Sequence, residues 1–198
     1  SGVAIGEEAK SSGIGHVAMG FRANAQTADA DKDDTPATNK ASYGVTIGHF
    51  AGSEYTGTDN VSTVAIGNKA GQYNTGGDRN VQIGDYSGRY VNGSHNVAIG
   101  SSAGSGTNAE KLEASETISI GRNSKASAAH STAIGSEAKA KGIDSIAMGL
   151  GAIVEDAAGF DGIAIGTRAK AKEKGMAVGA YSQANGVESG VFANAVQG

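Results

Sequence analysis

The sequence predicts an all-β fold, a parallel β-roll solenoid of about eleven to twelve short coils with loop insertions, and three observations predict it. One pattern returns eleven times, an aliphatic residue, a small one, a second aliphatic residue and a glycine, ending at Gly6, Gly20, Gly48, Gly67, Gly84, Gly100, Gly121, Gly135, Gly149, Gly166 and Gly179. The intervals between these glycines run 14, 28, 19, 17, 16, 21, 14, 14, 17 and 13, so short coils cluster near fourteen residues and longer ones carry insertions. The position three after each glycine is Ala or Ser in every copy. A repeat this short cannot bury its own apolar face, so successive copies must stack on one another. The repeat covers nearly all of the 198 residues, which reads as a single domain over 1–198 with a long insertion at about 28–42 and smaller ones at about 53–61, 106–116 and 154–161.

Each element follows from local chemistry. Around the small residue two before the glycine (Ala4, Ala18, Thr46, Ala65, Gln82, Ala98, Ser119, Ala133, Ala147, Ala164, Ala177) the flanking residues are Val, Ile, Met or Thr132, an alternation of period two that reads as a strand. Most of the flanking side chains are β-branched and suit a pleated surface. The glycine marks a bend whose backbone a side chain would hinder, and a second short strand is expected to follow it. That second strand would carry the invariant Ala or Ser inward and residues such as Lys125, Lys139 and Lys170 outward. Four central copies have Ala-Gly or Ser-Gly there (Ala51-Gly52, Ala70-Gly71, Ser87-Gly88, Ala103-Gly104), so two subtypes of coil are expected.

Small residues from both strands let the coil be thinner than the usual ~10 Å between packed sheets. Val3, Ile5, Val64, Ile66, Val97, Ile99, Ile118, Ile120, Ile146, Ile163 and Ile165 then face outward as a continuous apolar band. Exposed apolar patches beyond a few hundred Å² mark interfaces, so obligate self-association is expected, with a homotrimer as its natural closed form and these residues at its interface. The converse packing, with Val and Ile inside and Ala outside, is also compatible with the alternation.

The segments SGVAIGEEA (Ser1 to Ala9), HNVAIGSSA (His95 to Ala103), STAIGSEA (Ser131 to Ala138) and SIAMGLGA (Ser145 to Ala152) resemble the head-domain repeat of trimeric autotransporter adhesins, the YadA-like head. Asn80, Asn96, Thr63, Ser131 and Ser145, four before their glycines, fit the same family habit. The resemblance implies a left-handed parallel β-roll and three chains per head. It also implies display on a bacterial outer membrane and attachment to an extracellular matrix protein, a host cell receptor or a bacterial surface ligand. No heptad run marks a stalk, and the chain begins on a repeat and stops in a degenerate twelfth copy near Val191 to Ala193, so an anchor is expected outside it.

Composition narrows the partners. The 32 glycines are about twice the usual share, while a formal charge of -4 with mixed signs offers no basic stripe for nucleic acid. No stretch approaches a membrane span, so no membrane contact by this chain is expected. The absence of Cys excludes a thiolate zinc site and a cysteine nucleophile. His16, His49, His95 and His130 occupy different repeat positions, share no spacing with an acid or nucleophile, and lead to no expected enzyme activity or cofactor. An acyltransferase on a hexapeptide β-helix would need a period of six, and ice binding a regular threonine array. A phage tail-fibre segment is the alternative reading.

Two stretches are candidate ligand sites. Tyr55, Tyr73 and Tyr90 lie seven, six and six residues after consecutive repeat glycines, which would stack them as an adhesive strip of rigid amphipathic rings. Asp29, Asp31, Asp33 and Asp34 fill the longest insertion, but Asp34 and Lys40 stand where a calcium-binding loop wants Gly and Glu, so no metal is expected. The charged segment Glu110, Lys111, Leu112 and Glu113 reads as a surface loop or a single helical turn.

Overall fold

Each aliphatic triplet becomes a three-residue strand, because its alternation presents one small side chain to the coil interior and two branched ones to the outside. The computed structural model describes residues 2–11, 15–24, 44–54, 62–155, 161–172, 174–186 and 188–192; among these there is no helix, and every paired strand runs parallel to its neighbour. The chain forms two compact units, Ser1–Glu113 and Ala114–Gly198.

The first unit stacks β1 (Val3–Ile5), β2 (Val17–Met19), β3 (Val45–Ile47), β4 (Val64–Ile66), β5 (Val81–Ile83) and β6 (Val97–Ile99) in chain order. Equivalent residues pair in register, as in Val64↔Val81 and Val81↔Val97. The second unit has two such sheets. One contains β7 (Ile118–Ile120), β9 (Thr132–Ile134), β11 (Ile146–Met148), β13 (Ile163–Ile165), β15 (Met176–Val178) and β17 (Gly190–Phe192). The other contains β8 (Lys125–Ala126), β10 (Lys139–Ala140), β12 (Ile153–Val154), β14 (Lys170–Ala171) and β16 (Gln183–Ala184).

The bend differs from the expected strand–glycine–strand. Gly, two further residues and the invariant small residue form one tight turn, closed by a backbone bond such as Ala138 N to Gly135 O at 3.2 Å. The invariant Ala or Ser therefore sits before the second strand and not within it. It must be small because it is sealed inside, Ala138 and Ala169 having no exposed surface; where it is Ser, the hydroxyl finds a carbonyl, as from Ser124 to Gly121 O at 2.8 Å. The residue two after the glycine is left-handed in all eleven copies, from Glu8 (φ 54°) to Tyr181 (φ 60°). The repeat glycines stack in columns so close that a Cβ on Gly135 would lie 2.5 Å from the Gly149 carbonyl oxygen.

The second strand forms only in the second unit. In the first, the residue four after the glycine is again left-handed in five of the six coils (Asn24, Gly52, Gly71, Gly88 and Gly104, φ 53–64°), which turns the backbone away from an extended path; Lys10 is not left-handed and also begins no strand. The Ala-Gly and Ser-Gly coils thus have a backbone cause, since Gly permits the second turn, while in the second unit Lys125, Lys139, Ile153, Lys170 and Gln183 open the second strands.

The core of the second unit is almost wholly alanine, whereas that of the first joins alanines to Val91, Leu112 and buried polar side chains such as Thr46 and Ser53. In the second unit, Ala126, Ala133, Ala138, Ala140, Ala147, Ala152, Ala164, Ala169, Ala171, Ala177 and Ala184 are packed with Val154, the one larger buried aliphatic of this cluster among the described residues, and the partly buried Val191 packs against them. The first unit also buries long polar side chains, among them Gln82, because Gly71 and Gly88 leave room around it and the Gly88 carbonyl accepts its amide at 3.1 Å. Of the polar residues four before the glycines, Ser131, Ser145 and Asn80 are buried with partners, Ser131 Oγ donating to Ala128 O at 2.5 Å, Ser145 Oγ to Gly142 O at 2.5 Å and Asn80 Nδ2 to Gly93 O at 3.0 Å, whereas the buried Thr63 hydroxyl has none among the described residues.

Candidate functional site

With alanine inside, the aliphatic side chains are outside. The middle residue of each three-residue strand from β2 to β15 is buried, while Val3, Ile5, Ile99, Ile118 and Ile165 are 36–55% exposed and Val64, Ile66, Val97, Ile120, Ile146 and Ile163 are half-buried. Register aligns them into columns, Ile66↔Ile83↔Ile99 in the first unit and Ile118↔Thr132↔Ile146↔Ile163 in the second. A core built of single methyl groups gains little from burial, whereas each large aliphatic fully buried is worth about 1.5–3 kcal/mol. The greater part of the apolar capacity of both units therefore lies on their surfaces.

The second feature is an aromatic cluster on the turn edge of the first unit. Tyr73 and Tyr90 have left-handed backbones (φ 61° and 56°), and their rings lie parallel, centroids 4.9 Å apart at 9°. The buried Gln72 amide, bonded to Ser53 Oγ at 3.2 Å, and Asn74 Oδ1, accepting from Val91 N at 2.8 Å, fix the turns that carry them. The Arg89 guanidinium packs on three rings at once, 4.8 Å from Tyr86, 5.0 Å from Tyr90 and 5.5 Å from Tyr73. Lys69 Nζ adds a contact 5.2 Å from the Tyr86 ring. Tyr55 and the aspartates Asp29, Asp31, Asp33 and Asp34 lie outside the described residues.

The segment around Leu112 forms no helical turn; its charged residues are exposed as in the expected surface loop, but Leu112 itself is not. Leu112 is buried and makes a parallel bridge with Val91, Leu112 N donating to Tyr90 O at 2.9 Å and Asn92 N to Leu112 O at 2.8 Å. An apolar side chain inside a charged run had a core to fill. This pairing sets Lys111 beside the tyrosines, where Glu54, Tyr73, Thr75, Tyr90, Asn108 and Lys111 line a cleft of about 230 Å³. Lys111 Nζ donates to Thr75 Oγ1 at 3.2 Å, and Thr75 is hydrogen-bonded to Asn92.

Sequence spacing missed three participants. Tyr86 and Arg89 join the cluster from other repeat positions, and the Tyr-Ser-Gly-Arg-Tyr run at 86–90 was the available signal. His130, which shares no sequence spacing with an acid, is placed by stacking between Asp144 (3.0 Å) and Glu116 (3.7 Å) on an exposed edge of the second unit. Lys125 and Lys139 are in register, and Ile153 separates them from Lys170. His16 is buried, its Nε2 3.2 Å from Thr46 Oγ1, and burial lowers its pKa. Among the described residues no group of His, Asp and Glu side chains is arranged to hold a metal ion, and no helix is long and apolar enough to cross a membrane.

Compared with known proteins, residues 114–138, 128–152 and 157–175 match the family model of the YadA head domain repeat. No curated protein matches the chain.

Proposed function

From the YadA-like head domain that this chain contains, we propose that it is the adhesive head of a trimeric autotransporter, displayed on a bacterial outer membrane and attaching to extracellular matrix, host-cell receptors or other bacteria. The observation that carries this reading is the inversion of the usual core, with alanines sealed inside and branched aliphatics outside. Three copies closing about one axis would cover the columns of Val3, Ile5, Val64, Ile66, Val97, Ile99, Ile118, Ile120, Ile146, Ile163 and Ile165. Both units then belong to one head, and three chains multiply each weak contact with a surface into avidity.

Replacing Ile66 and Ile99 by Asp tests the assembly, since a charge at each site would be buried without a partner in the trimer. Sedimentation should show dissociated chains; variants that stay trimeric and folded would put the interface elsewhere. The ligand contact has two candidate places, the tyrosine cluster and the aspartate-rich insertion. Deleting residues 28–42 and repeating adhesion to matrix proteins and cells separates them. Adhesion that survives the deletion points to the coils and their tyrosines; adhesion that is lost points to the insertion.

A further inference from the structure

We propose that the cleft beside Tyr73 and Tyr90 binds a single neutral pyranose ring of a surface glycan. The proposal rests on the adhesive reading, whose contact site it specifies. The volume of about 230 Å³ is below the 300–1,000 Å³ of sites for drug-sized ligands and suits one ring-sized unit. The lining side chains hold one carboxylate and one ammonium, Glu54 and Lys111, of opposite sign, and the nearby Arg89 guanidinium is engaged on the tyrosine rings, so the lining itself favours a neutral ligand over an ion. Amide, hydroxyl and phenol groups complete a mixed set of donors and acceptors. A sugar hydroxyl both donates and accepts, and vicinal hydroxyls match the two oxygens of a carboxylate or the two ends of an amide.

The aromatic wall supplies what a hydroxyl-rich ligand also needs, an apolar surface for the C–H face of its ring. The stacked tyrosines are held by each other and by Arg89, so little side-chain freedom remains to be lost on binding. The Glu54 carboxylate, the Asn108 amide and the hydroxyls of Tyr73 and Tyr90 make no hydrogen bond with any described side chain or backbone group, which leaves their capacity open. Strand addition by a peptide is disfavoured here. Backbone groups at the cleft are already used between coils, Tyr73 N to Ser53 O and Tyr90 N to Gln72 O at 3.1 Å and Leu112 N to Tyr90 O at 2.9 Å.

The test uses the whole chain with the methyl glycosides of glucose, galactose, mannose and N-acetylglucosamine, read by saturation-transfer NMR and by tyrosine emission, which no Trp obscures. At least one glycoside should bind saturably. Glu54→Gln and Lys111→Met, which alter no described ion pair, should each weaken it about tenfold or more. Absence of binding to all four, equal binding by both variants, or preference for a methyl glucuronide would overturn the proposal. Adhesion assays on the same preparations separate the two readings: adhesion without sugar binding overturns the sugar site alone, and saturable sugar binding by a protein that adheres to no surface overturns the adhesive reading alone. Periodate oxidation of host cells, or of partner bacteria, should abolish adhesion to whichever surface carries the sugar; survival of both counts against it.

Discussion

Replacing Gly135 by Ala should destabilise the second unit far more than replacing Gly151 by Ala, although both glycines have positive φ. Gly135 has φ +127°, a region almost closed to side chains, and its added Cβ would meet the Gly149 carbonyl oxygen at 2.5 Å, the carbonyl carbon at 2.6 Å and Cα at 3.2 Å. Those atoms are backbone of the next coil and cannot swing aside. A strained backbone costs about 1–3 kcal/mol and overpacking about 1–3 kcal/mol more, so the loss should be about 2–6 kcal/mol. Gly151 has φ +61° and its added Cβ would meet only Arg168 Cγ at 3.5 Å, an ordinary contact. Equivalent turns already hold Glu137 and Arg168 in that conformation. Its left-handed strain of about 1–2 kcal/mol is partly offset by about 0.4–1 kcal/mol from the restricted unfolded chain. Guanidinium unfolding followed by far-UV circular dichroism measures both. Losses that are equal, or below about 1 kcal/mol for Gly135→Ala, would refute the stacked glycine column as the element that sets coil spacing.

Gly88 and Gln82 should be coupled, because a Cβ at Gly88 would lie 2.4 Å from Gln82 Cγ; Gly88→Ala should destabilise alone and be partly rescued by Gln82→Ala in a double-mutant cycle, and simple additivity would contradict the contact. His16 gives the first unit a pH dependence. Its folded pKa lies below the unfolded value of 6.5, so the unfolded chain takes up a proton first. Stability should be complete above about pH 6.5 and fall as the pH drops towards the folded pKa, and His16→Asn should flatten that profile in denaturant titrations at several pH values. Arg89→Ala should loosen the tyrosine cluster, seen as broadened Tyr73 and Tyr90 ring resonances in NMR, because the guanidinium holds both rings; unchanged resonances would show that the tyrosine stack is self-sufficient.

The strands were legible in the sequence from their period of two, whereas the alternation favours an inward direction for their small residues but is compatible with the converse, and burial of the alanines decides it. The two coil subtypes were also visible, in Ala-Gly against Ala-Lys-Ala. The left-handed residue after each glycine was not, because that position holds Glu8, Phe50, Lys69, Tyr86 and Arg168 and carries no compositional mark. Expecting a second strand throughout failed in the first unit for a related reason, a second left-handed turn at Gly52, Gly71, Gly88 and Gly104. Site residues that meet through stacking were the hardest to foresee. Coil intervals vary, so linear spacing does not tell that Arg89 reaches Tyr73, that Lys111 reaches Thr75, or that His130 falls between Glu116 and Asp144.

The central claim is that coils lined with alanine leave their large aliphatics to be covered by sister chains. Native mass spectrometry of the purified protein tests it most directly: the folded species should weigh three times the 19.6 kDa chain at every concentration that keeps it folded. A folded species of 19.6 kDa that binds no apolar dye would contradict it.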